Sequence, residues 1–392
     1  MKNLNKPLKI REELQNQEKI SYASDIIALP RGGIDCSEGC NPYGFPPSLE
    51  MAMHNFDIHR FGPYPHSQAI YEGLTEYWKG YSNIERDNVL LSDGSINALY
   101  TVFNVFNSKG AVVLGISPQF TDAEMFIKIS GMEYRSVPLR KERNYRFDPD
   151  EFIENIDESV SLIYIDNPNN PTGQVISLYA IEKILNRAIE VGAAVIVDEA
   201  YGDFMPNQNS SMQLTEEYPN LIMIRSLSKA FGLAGLRIGY VIAPKQLISY
   251  MRKITNPYQV SEFAREMGGE ALKHSENIWK NIVDFSTMKR EIRDVLKESG
   301  NLFMPESSDT VSIFLLIHKD ETVDLYKEFL DKKILSVPGV DFNTLGKNSV
   351  RIRLPRIEDF DLLLNAIKAI HLGYPFAFVF RSSNFGFRPF FS

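Results

Sequence analysis

Between residues 88 and 243 the chain alternates short runs of β-branched and other apolar residues with longer amphipathic stretches. That alternation predicts a largely parallel sheet covered by helices. The runs NVLLSD, AVVLGIS, SLIYIDNP, AAVIVDEA, LIMIRSLS and GYVIAP each hold four to six apolar residues bounded by polar or turn-forming ones, and each is expected to be a strand. Between them, INALYTVFNVF is expected to be a helix starting just after Gly94 and Ser95. SLYAIEKILNRAIEVG is expected to open on Ser177 as its cap and to close at Gly192.

Beyond about residue 255 the pattern changes to long charged helical stretches from EFAREMGG to RDVLKES. Strands follow at DTVSIFLLIH and SVRIRLP, and a closing helix at DLLLNAIKAIHL. This predicts four parts: an N-terminal arm (1–44) that belongs with a small domain, a large α/β domain (45–255), a small α+β domain (256–372) and a Phe-rich tail (373–392). In the tail, Phe376, Phe378 and Phe380 alternate as they would in one strand. No internal repeat is present.

Length and composition leave this picture intact, since 392 residues with 44% hydrophobic and 23% charged are enough for two packed domains. A net charge of -8, with no long Lys/Arg run, argues against a nucleic-acid partner. The charged N-terminus has no apolar signal core, and no stretch reaches the ~18 apolar residues of a membrane span, so a cytoplasmic location is expected. Cys36 and Cys40, in CSEGC, have no neighbouring Cys or His pair to complete a zinc site; no metal is expected.

Ligands of open α/β sheets sit outside the carboxyl ends of the strands, so the residues that follow each strand are the place to look for chemistry. After NVLLSD, Gly94 and Ser95 open a helix whose free N–H groups and dipole suit a phosphate, although such a pair is more often only a cap. SLIYIDNPNNPTG runs a strand into a turn that leaves Asn170 at the sheet edge. AAVIVDEAYGDF delivers Asp198 from an apolar strand, where a carboxylate needs a cation: a protonated pyridine, a structural Arg or a metal ion. LIMIRSLSKAFGLAGLRIGY brings Ser226, Ser228, Lys229 and Arg237 together among glycines, a set suited to a phosphate and a carbonyl.

In this order the four strings resemble the signature of the class I/II aminotransferases, which are fold-type I enzymes dependent on pyridoxal 5'-phosphate. The likeness runs from about Asn41 to Arg353. SLSKAFGLAGLRIGY, NPNNPTG, DEAYGDF and CNPYG are most similar to the branch that contains histidinol-phosphate aminotransferase and threonine-phosphate decarboxylase. The resemblance implies a large domain with a mainly parallel seven-stranded sheet flanked by helices, plus a smaller α+β domain.

It also implies roles. Lys229 would hold the cofactor as a Schiff base and carry the proton between substrate Cα and cofactor, while Asp198 would keep the pyridine nitrogen protonated. Asn170 and Tyr201 would bond the cofactor's phenolic oxygen, and Phe120 would stack on the ring. Ser95, the Ile96 amide, Ser226, Ser228 and Arg237 would hold the phosphate. Tyr64 would reach the phosphate of a neighbouring subunit, which implies a homodimer. Arg351, aided by Tyr43 and Asn170, would bind the substrate carboxylate; Arg353 is expected on the opposite face.

The chain departs from relatives acting on phosphorylated substrates in KKILSVPGVDFN, which has Pro338-Gly339 where they carry an arginine. CSEGCNPYG likewise lacks their Asn-Glu pair. Substrate identity is therefore open. Transamination is the expected reaction, with a lyase, cyclase or decarboxylase as the alternative use of the same carbanion. A pyridoxal-phosphate sensor fused to a DNA-binding module is disfavoured by the lack of a helix-turn-helix pattern.

Overall fold

A computed structural model describes residues 11–15, 29–108 and 110–373. The tail from residue 374, with its expected Phe strand, lies outside the described residues.

The large domain is built on one seven-stranded sheet. Its strands in chain order are β1 (Val89–Ser92), β2 (Val112–Ser117), β3 (Glu133–Pro138), β4 (Val160–Asp166), β5 (Ala194–Glu199), β6 (Leu221–Ser226) and β7 (Gly239–Ile242). Their order across the sheet is β1-β7-β6-β5-β4-β2-β3. All pairings are parallel except the two that β7 makes, with β6 and with β1. The six runs read from the sequence are all strands. The seventh strand, β3, was missed: it lies at the sheet edge and, apart from Val137, is at best half-buried, so its sequence EYRSVP lacks an apolar run.

Because β7 runs against its neighbours, its start lies beside the carboxyl ends of β6 and β1. One sheet edge therefore collects the residues that follow β1, β2, β4, β5 and β6 together with Arg237, just ahead of β7. Helix α1 (Ser95–Phe106) packs its apolar side with Ile196, Ile222 and Ile224 on one sheet face. Helix α2 (Leu178–Val191) packs on the other face; Ser177 Oγ accepts the Ala180 N–H and Gly192 closes the helix in the left-handed region, as expected.

The second face carries a buried ion cluster. Side chains alternate along β5, so Asp198 turns toward the α1 side and Glu199 toward the opposite one. There Arg225 donates to Glu199 (2.9 Å) and Asp203 (2.7 Å) and stacks 4.7 Å over Trp78, with all four groups shielded from solvent. Arg225→Leu would strand two buried carboxylates, so it is expected to cost about 3–5 kcal/mol of stability. Chemical unfolding would measure this, and a loss below ~1 kcal/mol would refute the account of the cluster.

The small domain has an antiparallel sheet in which β8 (Ile313–His318) and β9 (Ser349–Arg353) are central, flanked by Leu302–Phe303 and Val337–Pro338. Helices Glu276–Leu296 and Phe360–Leu372 pack together against it. The arm strand Ile34–Asp35 pairs in parallel with Ile334–Leu335, which joins the N-terminal segment to the small-domain elements.

Candidate active site

The collected strand ends enclose a cavity of about 380 Å³. Ten of the residues singled out in the sequence line it: Ser95, Ile96, Phe120, Asn170, Asp198, Tyr201, Ser226, Ser228, Lys229 and Arg237. Tyr100, Asp122, Asp166, Pro168, Ala200 and Ala234 also line it and were not picked out.

At one end, Gly94 caps α1 with φ 94°, a conformation that favours glycine. A Cβ there would stand 2.4 Å from an Arg237 guanidinium nitrogen, so glycine lets the arginine lie against the helix start. Arg237 donates to the Asp93 carbonyl (3.2 Å) and the Ala234 carbonyl (3.1 Å). The guanidinium, the N-terminal amides of α1 and the hydroxyls of Ser95, Ser226 and Ser228 make a cradle suited to a dianionic phosphate.

Lys229 follows β6. Its carbonyl accepts the N–H groups of Asn41 (2.9 Å) and Gly232 (3.1 Å), and Asn41 Nδ2 donates to the Ala230 carbonyl (2.8 Å). The CNPYG segment thus fixes the backbone that carries the amine. Lys229 Nζ lies 5.4 Å over the Tyr201 ring. Tyr201 is covered by the arm, since a Cβ on Gly39 would come within 1.8 Å of its hydroxyl.

Asp198 sits deep in the cavity, where its carboxylate accepts the Ala200 N–H (3.0 Å) and the Tyr164 hydroxyl (3.2 Å). Asp166, its partner in register on β4, accepts Asn169 Nδ2 and the Asn170 N–H, both at 2.9 Å. Burial pushes both carboxyls up from 3.8 to about 7, against the pull of those hydrogen bonds. The folded chain therefore holds these protons more tightly than the unfolded chain. The resulting stabilisation is complete below about pH 4 and is lost as pH rises through about 7. At ~1.4 kcal/mol per unit a rise from 3.8 to about 7 is worth about 4 kcal/mol for each carboxyl, so the ligand-free protein should lose several kcal/mol across that range. A pyridinium ligand should reverse the trend by favouring the charged carboxylates. Melting curves at several pH values, with and without ligand, would show it; a midpoint insensitive to pH in both states would contradict it.

Arg351 does not line the cavity but adjoins it. Fully buried on β9, it donates to Asn170 Oδ1 (3.0 Å) and to the Ser37 carbonyl, joining the small-domain sheet, the arm and the large-domain turn. Arg353 does not point to the opposite face as expected. Residues two apart on a strand share a face, and both guanidiniums meet the arm. They differ in what they touch: Arg353 is spent on the carbonyls of Asp35, Glu38 and Leu354. Two other expected residues stand off from the cavity of their own chain. The Tyr43 hydroxyl donates to Asp284 (2.7 Å) and accepts the Ile357 N–H (3.0 Å). Tyr64 is exposed and stacks on Tyr258 at 4.5 Å.

Comparison with known proteins agrees with this geometry. A single mutant of Thermus thermophilus aspartate aminotransferase has the same fold, with a TM-score of 0.79 at 19% identity over 93% of this chain and 100% of that one. The profile of the family "Aminotransferase class I and II" matches residues 44–367, and the chain belongs to that family. The histidinol-phosphate aminotransferase of Thermoanaerobacter pseudethanolicus is 31% identical over 79% of this chain and 84% of its own length. A protein of Caldanaerobacter subterraneus subsp. tengcongensis, provisionally named threonine-phosphate decarboxylase, is 30% identical over 92% and 96%. The chain is thus an aminotransferase that works with pyridoxal 5'-phosphate.

Proposed function

We propose that the protein moves the α-amino group of a small amino acid to a keto acid, with Lys229 as the residue that binds the cofactor. The observation that carries this reading is the convergence on one cavity of Lys229, a phosphate cradle and the deeply buried Asp198, with Arg351 adjoining through Asn170. When bound, pyridoxal phosphate supplies an aldehyde that condenses with amines and a protonated ring that takes up the electrons left at Cα.

The chain's own residues supply the rest. Asp198 holds a proton on the ring nitrogen, which also satisfies its own buried charge. Lys229, with its amine free, would accept the proton from the substrate Cα and deliver it to the cofactor carbon on the far side of the nitrogen. Asn170 and Tyr201 hold the phenolic oxygen, and Phe120 covers the ring face. Arg351 grips the substrate carboxylate with its planar fork.

No second arginine stands beside Arg351 on the neighbouring strand, where its register partner is the buried Val337. This favours substrates without a phosphate. Decarboxylation is the second reading, favoured by the 30% identical Caldanaerobacter relative. The exposure of Tyr64, Phe61, Ile58 and Met51 supports a homodimer in which Tyr64 completes the neighbouring phosphate site. Among the described residues no helix is long and apolar enough to cross a membrane, which supports the cytoplasmic reading.

The test is a panel of amino acids, histidinol phosphate and threonine phosphate, with analysis of keto acid and carbon dioxide. Keto acid from an unphosphorylated amino acid supports the proposal; carbon dioxide without keto acid supports the second reading. In the same assay Arg351→Gln is expected to raise KM for an α-amino acid about 10²-fold, the worth of a charged hydrogen-bonded pair. An amine without a carboxylate should be unaffected, and an equal loss for both would show that Arg351 does not bind that group.

A further inference from the structure

Asp166 has no part in the roles assigned above, yet it is 3% exposed, lines the cavity and pairs in register with Asp198 on the adjacent parallel strand. Neighbouring strands lie ~4.8 Å apart, and in-register side chains leave the same face, so two buried carboxylates stand side by side. One oxygen of Asp166 accepts the Asn170 N–H, and Asn170 Oδ1 in turn accepts Arg351 NH1 (3.0 Å). The other accepts Asn169 Nδ2, which also donates to the Pro118 carbonyl (3.2 Å).

We propose that Asp166 is a positioning residue of the cofactor site, fixing the turn that aims Asn170 at Arg351 and setting a second negative charge beside Asp198. This rests on the reading that the cavity takes pyridoxal phosphate. Tyr164 on β4, Tyr134 on β3 and Lys229 across the cavity act on or are acted on by the pair, and Tyr100, Asp122, Tyr201 and Arg237 line the same cavity. Glu199, next to Asp198, turns away to Arg225, Ser210 and Ser211. Of the cationic side chains lining the cavity, Lys229 is the one whose charge bears on Asp198, and its imine with the cofactor should be easier to protonate because of Asp166.

The experiment uses the loaded protein and two variants, Asp166→Ala and Asp166→Asn. The first readout is the pH midpoint of the visible imine band. Removing a negative charge disfavours the protonated imine, so the midpoint should fall by about one unit in both variants. The second is the affinity for 3-phenylpropionate, a carboxylic acid without an amine, read from its effect on the band. It should weaken about tenfold in Asp166→Ala and less in Asp166→Asn, whose amide oxygen still accepts the Asn170 N–H. Midpoints and affinities equal to wild type would overturn the inference, whereas a wild-type protein with no band on adding pyridoxal phosphate would sink the underlying reading instead. If neither variant takes up cofactor, Asn169→Ala decides: it keeps the charge but loosens the turn. It should weaken 3-phenylpropionate several-fold at an unchanged midpoint, and unchanged affinity would overturn the proposal.

Discussion

Replacement of Lys229 by alanine is expected to lower turnover by about 10⁴-fold, the combined loss of the amine that holds the cofactor and of the group that moves the Cα proton. No neighbour can take over. Of the cationic side chains that line the cavity, the other is Arg237, a guanidinium that cannot act as a base near neutral pH and is fixed against Gly94 and the Asp93 carbonyl. The variant should still bind pyridoxal phosphate, because the phosphate cradle is untouched, but without the band of a lysine imine. Stopped-flow and steady-state assays of keto-acid release would measure the loss. Activity within tenfold of wild type would rule Lys229 out as the proton carrier.

Asp198→Asn is the second large effect, and its sign depends on whether ligand is bound. With cofactor, a neutral amide no longer holds the pyridine proton, so turnover should fall by about 10³-fold. Without cofactor the same substitution removes a buried carboxyl that burial pushes up to about 7. The ligand-free variant should then lose less stability than wild type as pH rises through about 7. A purely structural role for Asp198 would predict losses of the same sign in both states. Paired melting and activity measurements on the one variant separate the two accounts.

Much of this was legible in the chain itself. The six apolar runs became strands because a parallel sheet covered on both faces demands unbroken β-branched stretches. Seven of the ten cavity residues were legible because ligand sites follow strand ends, whereas Ile96, Phe120 and Tyr201 came from the resemblance. What stayed hidden depends on neighbours remote in sequence. Strand β3 pairs at the edge and is half exposed, so it has no apolar run. Asp166 reads as the start of a turn until β4 and β5 are set side by side. Asp198 had a structural arginine among its expected partners, but Arg225 lies on the other sheet face, matched to Glu199 and Asp203. Arg351 and Arg353 share a strand face and are told apart only by the arm carbonyls and Asn170 around them. Tyr43 and Tyr64 came from resemblance rather than from patterning, and neither reaches the cavity of its own chain.

The most direct test is to load the purified protein with pyridoxal phosphate, reduce it with borohydride, digest it and locate the modified lysine by mass spectrometry. A pyridoxyl group on Lys229 alone, absent from the Lys229→Ala variant, is the result this account predicts. A label on another lysine, or no label on a protein that retains full activity, would contradict it.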